Sequence, residues 1–282
     1  MDFESYWAAV DDELAVVPAR AVLESVAERS TAESVSYTVR LTSSGPYRVF
    51  GHLSIPSGPG PFPALLMTPR YGSVNHVPHP NDRSRYVVFG VMHRGQRLAD
   101  ESFAAAYPGL LTLGIDEPAS YIYRGIVADC LRAAEFLFGL AEVDPARVAV
   151  SGDDLALLTA ARRPGFGAVR LSELLFYRAM EARLRSSLYP LEELNDHLRA
   201  GAVEEQVLKT LSFFDPVRHA SAVSAPTLVA ADDADWFAPL IEALPASEVY
   251  QVTHLDGTDN DALDAWLADR FGVPPMSRFV RP

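Results

Sequence analysis

A single cysteine, Cys130, stands in the 282-residue chain, so no intrachain disulfide can form. It falls in a helical pattern, RGIVADCLRAAEFLFGL, which points to buried packing rather than a reactive thiol. No apolar run approaches the roughly 18–20 residues of a membrane span. The N-terminus, MDFESYWAAVDDEL, lacks the basic start and apolar core of a signal peptide, which places the protein in the cytoplasm. Basic residues are outnumbered: 24 Lys and Arg against 37 Asp and Glu give a net charge of −13. That balance speaks against nucleic acid or an anionic membrane as partner, and its plain reading is solubility. There is no Walker or dinucleotide glycine pattern, no internal repeat and no low-complexity segment, so no cofactor is expected. His76, His79 and His93 lack a metal-ligand spacing with nearby acids, so no metal is expected either.

What is present is a large hydrophobic fraction, 49%, enough for a sizeable core in one domain spanning 1–282. Residues 3–29 read as helical with a break near Pro18, within an N-terminal extension over 1–35. VSYTVRLT (36–43) and YRVFGHLSIP (47–56) alternate as strands around the turn Ser44-Gly45-Pro46. After the rigid turn Ser57-Gly58-Pro59-Gly60-Pro61, the runs PALLMTP (63–69) and YVVFGVMH (86–93) predict strands buried on both faces. A long helix is predicted at about 119–140, a strand at 147–152 and a helix at ALLTAAR. Strand-like segments follow at 167–174, 226–232 and 247–253, and a closing helix at about 260–271. Such alternation predicts an α/β fold with a mostly parallel sheet covered on both faces. A helical insert at about 175–212 breaks the alternation and is placed to form a lid.

Ligands of such sheets bind at the carboxyl ends of the strands. There the strand RVAVSG runs into Gly152-Asp153-Asp154-Leu155-Ala156 and turns directly into a helix. This is the strand–turn–helix context of a nucleophile elbow, normally G-x-S-x-G. The flanking positions must be small, and Gly152 and Ala156 are. The central Asp154 would project at a helix N-terminus, where a carboxylate is well placed. An Asp at a helix start is also an ordinary N-cap. Elbow proteins order nucleophile, acid and histidine along the chain. Asp235 and His254, each just past a predicted strand, follow in that order.

These residues carry a resemblance to the acetylxylan esterase and cephalosporin C deacetylase family of α/β-hydrolases. It runs almost end to end, through FESYWAAVDDELAVVP, GHLSIPSGPGPFPALL, HRGQ (93–96), GIDEPASYIYRGIVADCLRAAEFL (114–137), VDPARVAVSG and KTLSFFDPVRHASAVSAPTLV (209–229). The resemblance implies an α/β-hydrolase fold with an N-terminal extension and a small helical insert. It implies deacetylation of short oligosaccharides and cephalosporin-type esters, an intracellular location and a hexamer. It makes Asp235 the triad acid, His254 the triad histidine, and the backbone N–H groups of Tyr71 and Leu155 the oxyanion hole. It leaves Arg94 and Gln96 in a loop that braces the site.

The departures are as informative. Asp154 stands where the family has its serine; Arg70 and Pro69 stand where it has glycine and histidine. Thr253-His254-Leu255 replaces Gly-His-Glu, which leaves the register of the histidine open. Three readings follow. Asp154 attacks an alkyl carbon and His254, oriented by Asp235, activates water, as in haloalkane dehalogenases and epoxide hydrolases. Tyr177 or Tyr189 would then donate to the leaving oxygen. Alternatively, Asp154 serves as base or electrostatic group in elimination, epimerisation or cyclisation of a small specialised metabolite, the preferred reading. Arg70 would keep it ionised, and Asp235 nearby would raise its pKa. Finally, the pocket survives without catalysis as a binding or assembly module. Trp236, beside Asp235, lines the pocket or fills the core.

Overall fold

The computed structural model describes residues 2–72, 77–96, 98–99 and 104–277. Its framework is a nine-stranded sheet: β1 (Val22–Ser25), β2 (Ser34–Thr42), β3 (Arg48–Pro56), β4 (Phe62–Met67), β5 (Val87–Met92), β6 (Val143–Gly152), β7 (Ala168–Ser172), β8 (Thr227–Ala231) and β9 (Ser247–Gln251). The spatial order is β1-β2-β3-β5-β4-β6-β7-β8-β9. The first three strands form an antiparallel meander whose β3 pairs antiparallel with β5. From β5 onward every pairing is parallel. The chain thus crosses from β4 to β5 on one side and from β5 to β6 on the other. That switch point opens a crevice at the carboxyl ends of β4 and β6.

Ten helices are described: α1 (Phe3–Ala15), α2 (Pro80–Arg83), α3 (Ile122–Phe138), α4 (Asp154–Arg162), α5 (Ala179–Ala182), α6 (Glu192–Arg199), α7 (Glu204–Leu211), α8 (Pro216–Ala220), α9 (Ala238–Ala243) and α10 (Asp256–Phe271). The side chains of the central strands alternate between two cores, as the pleat requires. Ala64 and Leu66 of β4 join the larger core with α1, α3 and α4, while Leu65 faces Leu267 and Phe271 of α10. These strands read as continuous apolar runs because both faces are covered.

The helical reading of residues 3–29 holds only for its first half. Helix α1 begins at an Asp2 cap, whose carboxylate accepts the Ser5 N–H at 2.8 Å, and buries Tyr6, Trp7, Val10 and Leu14. Val22–Ser25 is instead an edge strand, exposed at all four residues. Its backbone pairing with β2 leaves no buried face, and so no apolar period that sequence could display. The insert is helical as expected, with α5 to α7 between β7 and β8. Among the described residues no helix is long and apolar enough to cross a membrane.

A buried ion pair joins two segments remote in the chain. Arg85, in the turn before β5, meets Asp264 of α10 at 2.5 Å, with Asp82 at 3.5 Å. Arg85 also donates to the Pro274 carbonyl at 2.9 Å, and Asp264 accepts the Met276 N–H at 2.7 Å. Removing one partner strands a charge out of water. Asp264→Ala is expected to cost about 3–5 kcal/mol, and the double exchange Arg85→Met/Asp264→Leu much less. Urea titration of the three proteins checks this. Equal losses in the single and double variants would show that desolvated charge is not the cause.

Candidate active site

The elbow begins where β6 ends. Gly152 is required there: a Cβ would lie 2.0 Å from Thr68 Oγ1 and 3.6 Å from the Ala156 Cβ. The N-cap of α4 is Asp153, whose Oδ1 accepts the Leu155 N–H at 2.9 Å. Asp154 is already helical. Asp153 is extended, at φ −90° and ψ −150°, and neither residue has the positive φ of a strained turn.

Asp154 is fully buried. Its Oδ2 accepts the backbone N–H of Leu175 in a short contact and that of Phe176 at 3.0 Å. Its Oδ1 is buried without a partner among the described residues. The carboxylate therefore points at the first residues of the insert. Burial pushes the Asp153 carboxyl up, and the Asp154 charge adds to the shift. Burial also pushes Asp154 up, against the backbone donors that favour its charged form.

The other expected members do not converge on Asp154. Asp235 is exposed in the loop after β8, and His254 is exposed after β9 in a left-handed conformation, φ 59°. Among the described residues they share no hydrogen bond or ion pair with each other or with Asp154. The N–H of Leu155, one expected oxyanion donor, is occupied by Asp153. The Tyr71 hydroxyl donates to the buried Glu193 of α6 in a short contact, and Glu193 also accepts the Leu111 N–H at 2.9 Å.

The remaining candidates brace the rim. Gln96 donates to the carbonyls of Arg70 at 3.2 Å and Gly72 at 2.7 Å, fixing the loop after β4. Arg94 grips the buried Asp129 of α3 at 2.7 and 3.0 Å. Tyr177 donates to the Trp236 carbonyl at 2.7 Å. The Trp236 ring lies between the guanidinium groups of Arg178 and Arg185, at 4.0 and 3.8 Å. Tyr189 donates to Asp196 at 2.8 Å. His76 lies outside the described residues, among which no cluster suited to a metal ion occurs.

Arg70 follows β4 and pairs at 3.0 Å with Glu173, which follows β7. Since β6 lies between β4 and β7, this ion pair reaches across the elbow. It separates two cavities that share Arg70, Glu173 and Leu174. The larger, about 700 Å³, holds His254 with Asp232, Phe237 and Tyr250. The smaller, about 540 Å³, holds Tyr71, Asp153, Leu175 and Tyr189. Asp154 lines neither. Sequence reasoning passed over Asp153, Glu173 and Glu193. The N-cap preference of Asp was a usable signal for Asp153. The two glutamates carry no local signal, because their partners are remote in the chain.

The acid pair sets a pH dependence. Near and below the ordinary aspartate value of 3.8 its protons are bound in both folded and unfolded chains. As pH rises, the unfolded chain loses protons that the folded one retains. Stability therefore falls through the raised folded values, at no more than about 1.4 kcal/mol per pH unit for each retained proton. Asp153→Asn is expected to flatten this decline between pH 5 and pH 8, measured by urea midpoints. An unchanged slope would place the retained proton elsewhere.

Comparison with known proteins agrees with this architecture. The family profile described as Acetyl xylan esterase (AXE1) matches residues 1–267. The acetyl xylan esterase from Paenibacillus sp. R4 superposes with a TM-score of 0.83 at 25% identity, over 95% of this chain and 94% of that one. Acetyl xylan esterase 1 from Thermoanaerobacterium sp. JW/SL YS485 gives 0.82 at 18% identity, over 96% and 94%, a likeness of fold. The acetyl esterase Axe7A of Xylanibacter ruminicola is 26% identical over 180 residues, 58% of this chain. The match spans 41% of that relative's length.

Proposed function

Because the chain belongs to the acetyl xylan esterase (AXE1) family, we propose that it keeps the family's α/β-hydrolase scaffold and binds a small molecule without hydrolysing esters through a serine-type triad. The observation that carries this reading is the position of Asp154. Asp154, which the sequence reading sets at the family's serine position, is fully buried and engaged by two backbone N–H groups. A nucleophile must be reached by the substrate's carbon, and neither cavity reaches this carboxylate. The same enclosure weighs against an alkyl-enzyme intermediate on Asp154. It weighs equally against Asp154 as the base that meets a substrate.

Two further observations support it. Occupation of the Leu155 N–H by Asp153 removes an oxyanion donor, a loss worth about 10²–10³ in kcat where such donors act. Among the described residues His254 has no acid partner to orient its ring and fix its tautomer. One observation favours a second reading, non-hydrolytic acid–base chemistry such as elimination or epimerisation. Asp153 faces the smaller cavity, and burial holds its carboxyl above the ordinary range, as a group that moves protons near neutrality requires.

Hydrolysis of 4-nitrophenyl acetate tests the main reading. The wild-type protein and Asp154→Ser are both expected to match the buffer blank, because replacing one side chain restores neither the Leu155 N–H nor a paired histidine. Turnover by the wild type, with one serine labelled by a fluorophosphonate, would sink the proposal. Strong turnover by Asp154→Ser would show that the triad assembles in solution.

A further inference from the structure

Asp153 is a buried polar group that lines the smaller cavity and that the hydrolytic pattern does not use. It is 9% exposed and lines that cavity. One carboxyl oxygen is fixed by the Leu155 N–H at 2.9 Å. The other has no partner among the described residues. The fixed oxygen takes the donor that an oxyanion hole would offer to a substrate carbonyl. A ligand entering here meets the second oxygen of Asp153 instead.

We propose that Asp153 reads the ligand, and that the smaller cavity takes an uncharged, ring-bearing carbonyl compound whose oxygen accepts a hydrogen bond from the Asp153 carboxyl. The inference rests on the non-hydrolytic reading and names the ligand class of that site. The space, about 540 Å³, suits a ring-sized molecule, with Tyr71, Tyr189 and Leu191 among its walls. Among the described residues that line it an anion finds no uncompensated cation, since Arg70 is matched by Glu173 at 3.0 Å, and the Asp154 charge acts on Asp153. A cation would need Asp153 ionised beside Asp154.

The geometry assigns the proton. Asp154 accepts two backbone N–H bonds, which favour its charged form, whereas Asp153 accepts one. Of the two, Asp153 therefore holds its proton the more firmly, and the Leu155 N–H on one oxygen leaves that proton to the other. Tyr123 and Cys130 of α3, the titratable neighbours from below, stay protonated because burial raises both. Arg70 and Glu173 face Asp153 from the loops after β4 and β7, and Tyr71 and Tyr189 complete its surroundings.

Ligand-observed NMR with benzamide, benzylamine and benzoate tests this on the full chain. The three probes share a ring and differ in charge. At pH 6 benzamide is expected to bind and the two ions to bind far more weakly. Asp153→Ala should weaken benzamide roughly three- to tenfold, as loss of one hydrogen bond does. Asp153→Asn should retain binding, because its amide NH₂ donates in place of the acid. Raising the pH to 9 should weaken benzamide for the wild type and leave Asp153→Asn unchanged. Preference for benzylamine, no binding of benzamide, or indifference to Asp153→Ala overturns the proposal. Ester turnover by the wild type defeats the non-hydrolytic reading separately, whatever the probes do. An inert protein whose benzamide affinity ignores Asp153→Ala defeats this inference alone.

Discussion

The site takes its shape from one carboxylate receiving two backbone N–H groups. Buried amides need acceptors, and those of Leu175 and Phe176 find theirs on Asp154, 21 and 22 residues earlier in the chain. A carboxylate can accept several donors at once and gains from each. Fixing residues 175 and 176 fixes the path of the insert over the elbow. Tyr177, the next residue, then reaches the Trp236 carbonyl, and α6 presents Glu193 to Tyr71. The insert is thus held to three rim segments: the elbow, the loop after β8 and the loop after β4.

The electrostatics follow from that closure. Two adjacent carboxyl groups lie buried side by side, so both resist ionisation. Arg70, whose charge acts on Asp153, is engaged by Glu173 rather than buried with the acids. Both partners of that ion pair are more than half exposed, and such a pair adds about 0–1 kcal/mol to stability. Its role is geometric: it divides one crevice into two cavities. Deeper pairs do the structural work, with Arg94 on Asp129 holding the loop after β5 to α3 and Arg85 on Asp264 joining β5 to α10.

The sheet was legible in the sequence where burial imposes a period. The runs at 63–69 and 86–93 became β4 and β5, and the strand–turn–helix at Gly152 lies where small residues require it. Val22–Ser25 was not legible, because an edge strand exposed on all four side chains is held by backbone bonds alone. At the turn after β6 the two aspartates differ in a way that local sequence does not show. Attention fell on Asp154 as the projecting residue, while Asp153 is the one that caps α4 and lines a cavity.

The alternation of strands and helices and the tight turn after β6 are properties of local sequence. Periodicity, turn chemistry and motif order are written within short windows, so the chain alone determined them. Which way each carboxyl points was decided elsewhere. Asp154 turns inward because the backbone of residues 175 and 176 arrives beside it, and Asp153 turns outward because the Leu155 N–H holds one of its oxygens. Asp235 and His254 keep the expected order but not a shared hydrogen bond, since strand order places their loops while side-chain packing sets their contacts. Those outcomes depend on donors and acceptors brought together from distant parts of the chain, which only the folded structure supplies.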